Sequence, residues 1–177
     1  MIAEAEEEKI TLLDQLMGAV RFNADDLEAN REGKISEIQS YFLRVRRRQS
    51  MAIGLAIFVV IIIIASLLIF AGRRDSSGIL TIIGIGVTLC NAAITGIFAR
   101  YWLRLNADIQ KGVVNVISGK LERVIKPVNH RVVNYMIRID NNELMVDKAV
   151  FALLEHEQAY TVYRTPYAGI LLAIEPQ

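Results

Sequence analysis

The sequence predicts an α+β membrane protein, in which a two-helix transmembrane hairpin is preceded by a helical segment and followed by a small β-barrel or rolled sheet. Two observations carry this. Met51 to Ala71 and Ile79 to Ala99 are apolar runs of 21 residues, neither containing Asp, Glu, Lys, Arg or His, and alternation by two sets in after residue 113. At about 1.5 Å of rise per residue, 21 helical residues reach about 31 Å, close to the roughly 30 Å hydrocarbon thickness. A helix that is apolar all round must be covered on every side, and 177 residues supply little protein to do it.

Residues 1–50 read as a cytoplasmic helical segment. Glu4, Glu6, Glu7 and Glu8 suit a solvated helix start, and Ile10, Leu13, Leu16, Met17 and Val20 recur at helical spacing as one apolar face. A polar helical stretch, Asp25 to Glu32, ends at Gly33 as at a C-cap. Ser36-Glu37-Ile38-Gln39 fits a capping box, so one helix is expected from Ser36 through the first span, residues 51–71. No signal peptide is expected, because the amino terminus is acidic and the first apolar run starts at Met51.

Arg44, Arg46, Arg47 and Arg48 crowd the entrance to that span. They read as a topology anchor meeting headgroups, with a dedicated lipid or partner site as the alternative. Residues 72–78 form a short loop, too short for anything but antiparallel helices. Counting Lys and Arg near the span ends gives Arg44, Arg46, Arg47, Arg48, Arg100, Arg104 and Lys111 against Arg73 and Arg74, which places both termini in the cytoplasm.

The second span, residues 79–102, carries Gly84, Thr88, Ala92 and Gly96 at steps of four, a stripe where another helix can dock closely. That helix is either the first span or a neighbouring subunit. Asn91 is the one strongly polar side chain within the runs, with Thr88 and Thr95 near it; it reads as interhelical glue. A channel lined by Thr88, Asn91 and Thr95 is the alternative function, although pores ordinarily carry charged residues and none is present. Tyr101 and Trp102, flanked by Arg100 and Arg104, form an interfacial belt. Cys90, the only cysteine, excludes an intrachain disulfide and is expected as a small buried residue.

Residues 103–112 form a helical linker, and 113–177 a β-domain. A first strand lies within 113–125. Val133, Tyr135, Ile137 and Ile139 then alternate with Asn134, Met136, Arg138 and Asp140, and Asp140-Asn141-Asn142 turns the chain into a third strand, residues 143–146. Asp147 can cap a short helix from Lys148 to Glu155, and a final hairpin turns at Pro166 to Gly169. Five strands with a helix between the third and fourth resemble the order of an OB-type barrel, at the level of elements alone. Tyr160, Tyr163, Arg164 and Tyr167 are the candidate partner-binding residues, since Tyr160 and Tyr163 fall on opposite faces of one strand and one of them, or Tyr167, should be exposed.

No catalytic, metal or cofactor site is expected. His130 and His156 lie far apart, and no phosphate loop, nucleophile elbow or Cys-His pair occurs outside the runs. Arg131, Arg138 and Arg164 are too scattered for nucleic acid, and the formal charge of +1 adds nothing to that case. The expected function is therefore non-enzymatic: a membrane-anchored interaction or scaffold protein, a homo-oligomer or accessory subunit, whose partners are the bilayer and other membrane subunits or itself.

Overall fold

A computed structural model describes residues 2–128 and 133–177, with the side chains of residues 2–8 outside the description. Glu4, Glu6, Glu7 and Glu8 as side chains, and His130 and Arg131 altogether, thus lie outside the described residues. The elements are α1 (Ile2–Val20), α2 (Ala24–Arg31), α3 (Glu37–Arg74), α4 (Gly78–Lys111), β1 (Asn115–Pro127), β2 (Val133–Ile139), β3 (Asn142–Met145), α5 (Lys148–Leu153), β4 (Ala159–Arg164) and β5 (Leu171–Pro176). The chain forms two compact units: residues 1–40 with 111–177, and residues 41–110.

The first unit is built on an antiparallel sheet of order β3-β2-β1-β4-β5. Its long central strand changes partner part-way. Asn115 to Lys120 pair with β4 and Leu121 to Pro127 with β2, in registers that set Ile117 opposite Val162 and Ile137 opposite Arg123. Period-two alternation then selects one core face, where Ile117, Leu121, Ile137, Ile139, Val162 and Ile174 are buried. Arg164 Nη2, on β4, donates to Asn142 Oδ1, on β3, at 2.8 Å, although two strands separate them in the sheet. The sheet curls to allow this, while β3 and β5 remain its edges.

The amino-terminal helices are not a separate segment. Helix α1 packs on β5 and α5, with Leu16 wholly buried in the sheet's core and Leu12, Ala19 and Val20 against it. Ile10, expected on the apolar face, is 59% exposed and lies off it. Helix α2 packs on β5 as well. Its start is a capping box, in which Asn23 Oδ1 accepts from Asp26 N at 2.7 Å and Asp26 returns the bond to Asn23 N at 3.0 Å.

Helix α3 also begins with the expected capping box: Ser36 Oγ accepts from Gln39 N at 3.0 Å, and Gln39 Oε1 from Ser36 N at 3.3 Å. Gln39 and Asn30 are both buried and pair through their amides, at 2.8 and 3.0 Å. Gln39 Nε2 also reaches Leu172 O at 3.3 Å, and Asn30 Nδ2 reaches Lys34 O at 3.0 Å. Buried Asp26 accepts a hydrogen bond from Ser36 Oγ. Every member of this network has a partner, so its burial carries little desolvation penalty.

Two local expectations shift. Helices α3 and α4 run past the apolar runs, which leaves residues 75–77 as the connection instead of 72–78. The end of α3 is Schellman-like, with Ser77 N bonded to Gly72 O at 2.8 Å and Ser76 at φ 53°. Backbone hydrogen bonding, not the end of the apolar run, stops the helix there. Asp147 occupies the N-cap of α5 but makes no side-chain cap bond.

Substituting Asn30→Leu or Gln39→Leu alone is expected to cost about 1–3 kcal/mol, because the remaining amide stays buried without its partner. The double substitution should cost less than the two single losses added. Thermal unfolding followed by circular dichroism measures all three.

Candidate functional site

Within the second unit, α3 and α4 run antiparallel and touch at few points. Near the turn they approach closely because glycine faces the neighbouring helix. A Cβ on Gly72 would lie 2.6 Å from Thr81 N, and one on Gly84 would lie 2.5 Å from Ile69 Cγ1 and 3.1 Å from Ala65 O. Gly84 and Ala65 are buried accordingly. Within the two apolar runs almost every other large apolar side chain is uncovered by protein, Ile79 being 73%, Ile97 71% and Phe70 66% exposed, whereas Leu43 and Leu105 outside the runs are buried.

The small-residue stripe divides. Steps of four on a helix of 3.6 residues per turn drift by about 40° each, so Gly96 points about 120° away from Gly84. Gly84 is against α3, whereas Thr88, Ala92 and Gly96 are exposed, and a Cβ on Gly96 would meet nothing within 4 Å. The docking partner of Gly84 is therefore α3, and the Ala92–Gly96 flank remains uncovered. Asn91, seven residues after Gly84, returns to the α3 side and is 2% exposed. Its Nδ2 donates to Phe58 O at 3.4 Å, while Oδ1 has no partner. Thr88 and Thr95 direct their hydroxyls back along their own helix, to Gly84 O at 2.9 Å and Asn91 O at 2.8 Å, which uses the donors a polar pore would need. Cys90, expected buried, is exposed.

Toward the other end the two helices leave a groove of about 370 Å³ with almost wholly apolar walls. It runs from Ser50 and Trp102 to Phe58 and Asn91, with Gly54 opposite the ring of Phe98. The cations expected at an interface gather at its outer end. Arg47 donates to Asn106 Oδ1 at 2.5 Å and lies 6.0 Å over the Trp102 ring. Arg44, Arg46, Arg48, Arg100 and Arg104 are exposed, and Tyr101 is half-buried. The groove has no signature along the chain, because Gly54 and Phe98 are brought together only by the antiparallel packing.

In the sheet unit the four expected partner residues separate. Tyr160 and Tyr163 are both buried, at 0% and 3%, which corrects the expectation that they could offer a surface. Strand β4 is covered on both faces, Tyr160 lying in the core and Tyr163 bonding Glu175 at 2.5 Å beside Arg31 of α2. Half-buried Arg164 reaches Asn142. Tyr167 alone is exposed, at 42%, with Lys111 4.6 Å from its ring centre and bonded to its hydroxyl.

Electrostatics here are those of held ion pairs. Burial, reinforced by the hydrogen bond to Glu175, pushes Tyr163 up to about 12. Burial raises Tyr160 as well, and the bond to Glu175 raises Arg31. On the outer face of β1 to β3, hydrogen bonds from Lys126 and Arg138 hold Glu143 below the usual carboxylate range. Among the described residues no three His, Cys, Asp or Glu side chains cluster to hold a metal. His156 accepts from Arg123 N at 3.1 Å. No protein-family model, curated protein or solved structure matches the chain.

Two outcomes follow from this geometry. Gly84→Leu is expected to destabilise the hairpin by about 1–3 kcal/mol through overpacking against Ile69, while Gly96→Leu leaves the hairpin fold unchanged; melting of both variants in mild detergent checks it. For Tyr163 the folded chain holds the proton more tightly than the unfolded chain. Its contribution is full below about pH 10, the ordinary tyrosine value, and is lost as pH rises toward about 12. Tyr163→Phe should remove that share of the alkaline loss in a melting series from pH 9 to 12.

Proposed function

We propose that this chain is a non-enzymatic, membrane-anchored interaction protein. In this reading α3 and α4 cross the bilayer as a hairpin, both termini lie in the cytoplasm, and the sheet unit is a cytoplasmic module. The chain then works as a homo-oligomer or as an accessory subunit of a larger membrane complex. The observation that carries this is the contrast between the two units. One has a covered apolar core and a satisfied polar network, whereas the other leaves the apolar runs of two long helices almost wholly uncovered.

In water that exposure would be prohibitive; in lipid it is the ordinary state of a spanning helix, whose backbone groups are satisfied internally. The arginines and Trp102 at one end suit the headgroup level. Association through the hairpin is supported by the uncovered Ala92–Gly96 flank of α4, where a second helix can approach closely. For the sheet unit, the curl that brings Arg164 to Asn142 supports a rolled sheet of OB-like order. Its exposed aromatic, Tyr167 beside Lys111, is the partner anchor this reading selects.

Alkaline carbonate is expected to leave the chain in the membrane fraction, and detergent to release it. A Ser76→Cys variant should react with a membrane-impermeant maleimide added to intact cells. Labelling only after the cells are broken would place the turn inside and reverse the proposed orientation.

A further inference from the structure

We infer that the groove between α3 and α4 holds one acyl chain of an anionic phospholipid, whose phosphate is bound by Arg47 at the groove's mouth. This rests on the membrane reading above. From Ser50 to Phe58 the groove follows α3 through eight residue steps, about 12 Å of helix, and a single leaflet of hydrocarbon is about 15 Å deep. Its outer end lies at Trp102, the level at which interfacial aromatics sit. Depth and level therefore match a lipid tail entering from one leaflet. The walls suit a tail too: Met51, Leu55, Phe58, Ile94 and Phe98 surround a space of about 370 Å³, within the range of small-ligand sites. Gly54 makes the room, because its missing side chain leaves the Phe98 ring as the wall.

Charge decides which lipid. Arg47 stands three residues before Ser50 and seven before Gly54, on the groove's own face of α3. Its bond to Asn106 uses one of the five guanidinium donors and fixes the side chain over Trp102. The remaining donors suit a phosphate. Arg44 and Arg48 flank it, and the acidic residues of the unit 41–110 are two: Asp75 in the turn at the far end, and Asp108, which is buried. A second copy seated parallel in the groove itself would bring its own arginines against Arg47, where like charges repel. An anionic lipid neutralises them.

The test uses the full chain, purified in mild detergent, stripped of lipid and titrated with dioleoyl phosphatidylglycerol or dioleoyl phosphatidylcholine under native mass spectrometry. The expected result is one phosphatidylglycerol per chain, bound at least ten-fold more tightly than phosphatidylcholine. Gly54→Leu fills the groove and should lose both lipids. Arg47→Gln should keep the tail site but lose the headgroup preference. Ala99→Leu, on the other wall, repeats the first test should Gly54→Leu fail to fold. Undiminished phosphatidylglycerol binding in a folded Gly54→Leu or Ala99→Leu chain, or equal binding of the two lipids by the natural chain, overturns the proposal. A lipid-free dimer that Gly54→Leu dissociates gives the groove to a second copy and overturns it as well. A chain that carbonate releases from membranes overturns the membrane reading itself, whereas an embedded chain that binds no lipid overturns only this one.

Discussion

Two backbone hydrogen bonds hold together the places where the chain leaves for the long helices and where it comes back. Ile35 N bonds Gly112 O and Val114 N bonds Gly33 O, each at 2.9 Å, across a bridge between Lys34 and Val113. Both glycines have positive φ, 80° and 62°, a backbone state that costs other residues strain. With this pairing fixed, the first turn of α3 sits beside α2, and Gln39 can reach both Asn30 and Leu172. The entry into the first long helix is thereby tied to the sheet by buried, fully paired amides. A network of this kind specifies one arrangement more than it adds stability, because a misplaced partner would leave polar groups buried and unpaired.

The hairpin is governed by different physics. Its helices satisfy their own backbones and meet at few side chains, so glycine decides where they touch. Gly72 and Gly84 bring them together near the turn, and Gly54 leaves a groove at the other end. In lipid there is no hydrophobic drive pressing two such helices together, and close packing has to supply the contact. Loose contact at the arginine end is thus compatible with a stable hairpin in lipid, provided tails or other helices fill the gaps. The uncovered α4 flank and the open groove are both consequences of this sparse contact.

Much of the architecture is legible along the chain. The capping box at Ser36, the helix continuing from there through the first apolar run, the alternating strand ending in Ile137 and Ile139, and the hairpin closing at Gly169 all depend on residues within a few positions of one another. Less of the candidate site is legible. The stripe at Gly84, Thr88, Ala92 and Gly96 looks continuous in sequence, but its drift around the helix turns Gly84 toward α3 and Gly96 away. Tyr160 and Tyr163 alternate as a half-exposed strand would, yet both are buried, Tyr160 in the core that α1 helps to fill and Tyr163 beside Glu175 and Arg31 of α2.

What the sequence by itself determined is the set of elements: two helices long and apolar enough to span a bilayer, and five short strands with a helix between the third and the fourth. Only the tertiary structure decided that α1 and α2 belong to the sheet, that Asn91 faces Phe58 with an unpartnered acceptor, and that Arg47 stands over an apolar groove. The division has a physical reason. Periodicity, caps and turns are short-range properties of the backbone, whereas burial is settled by whichever distant segment arrives to exclude water or lipid.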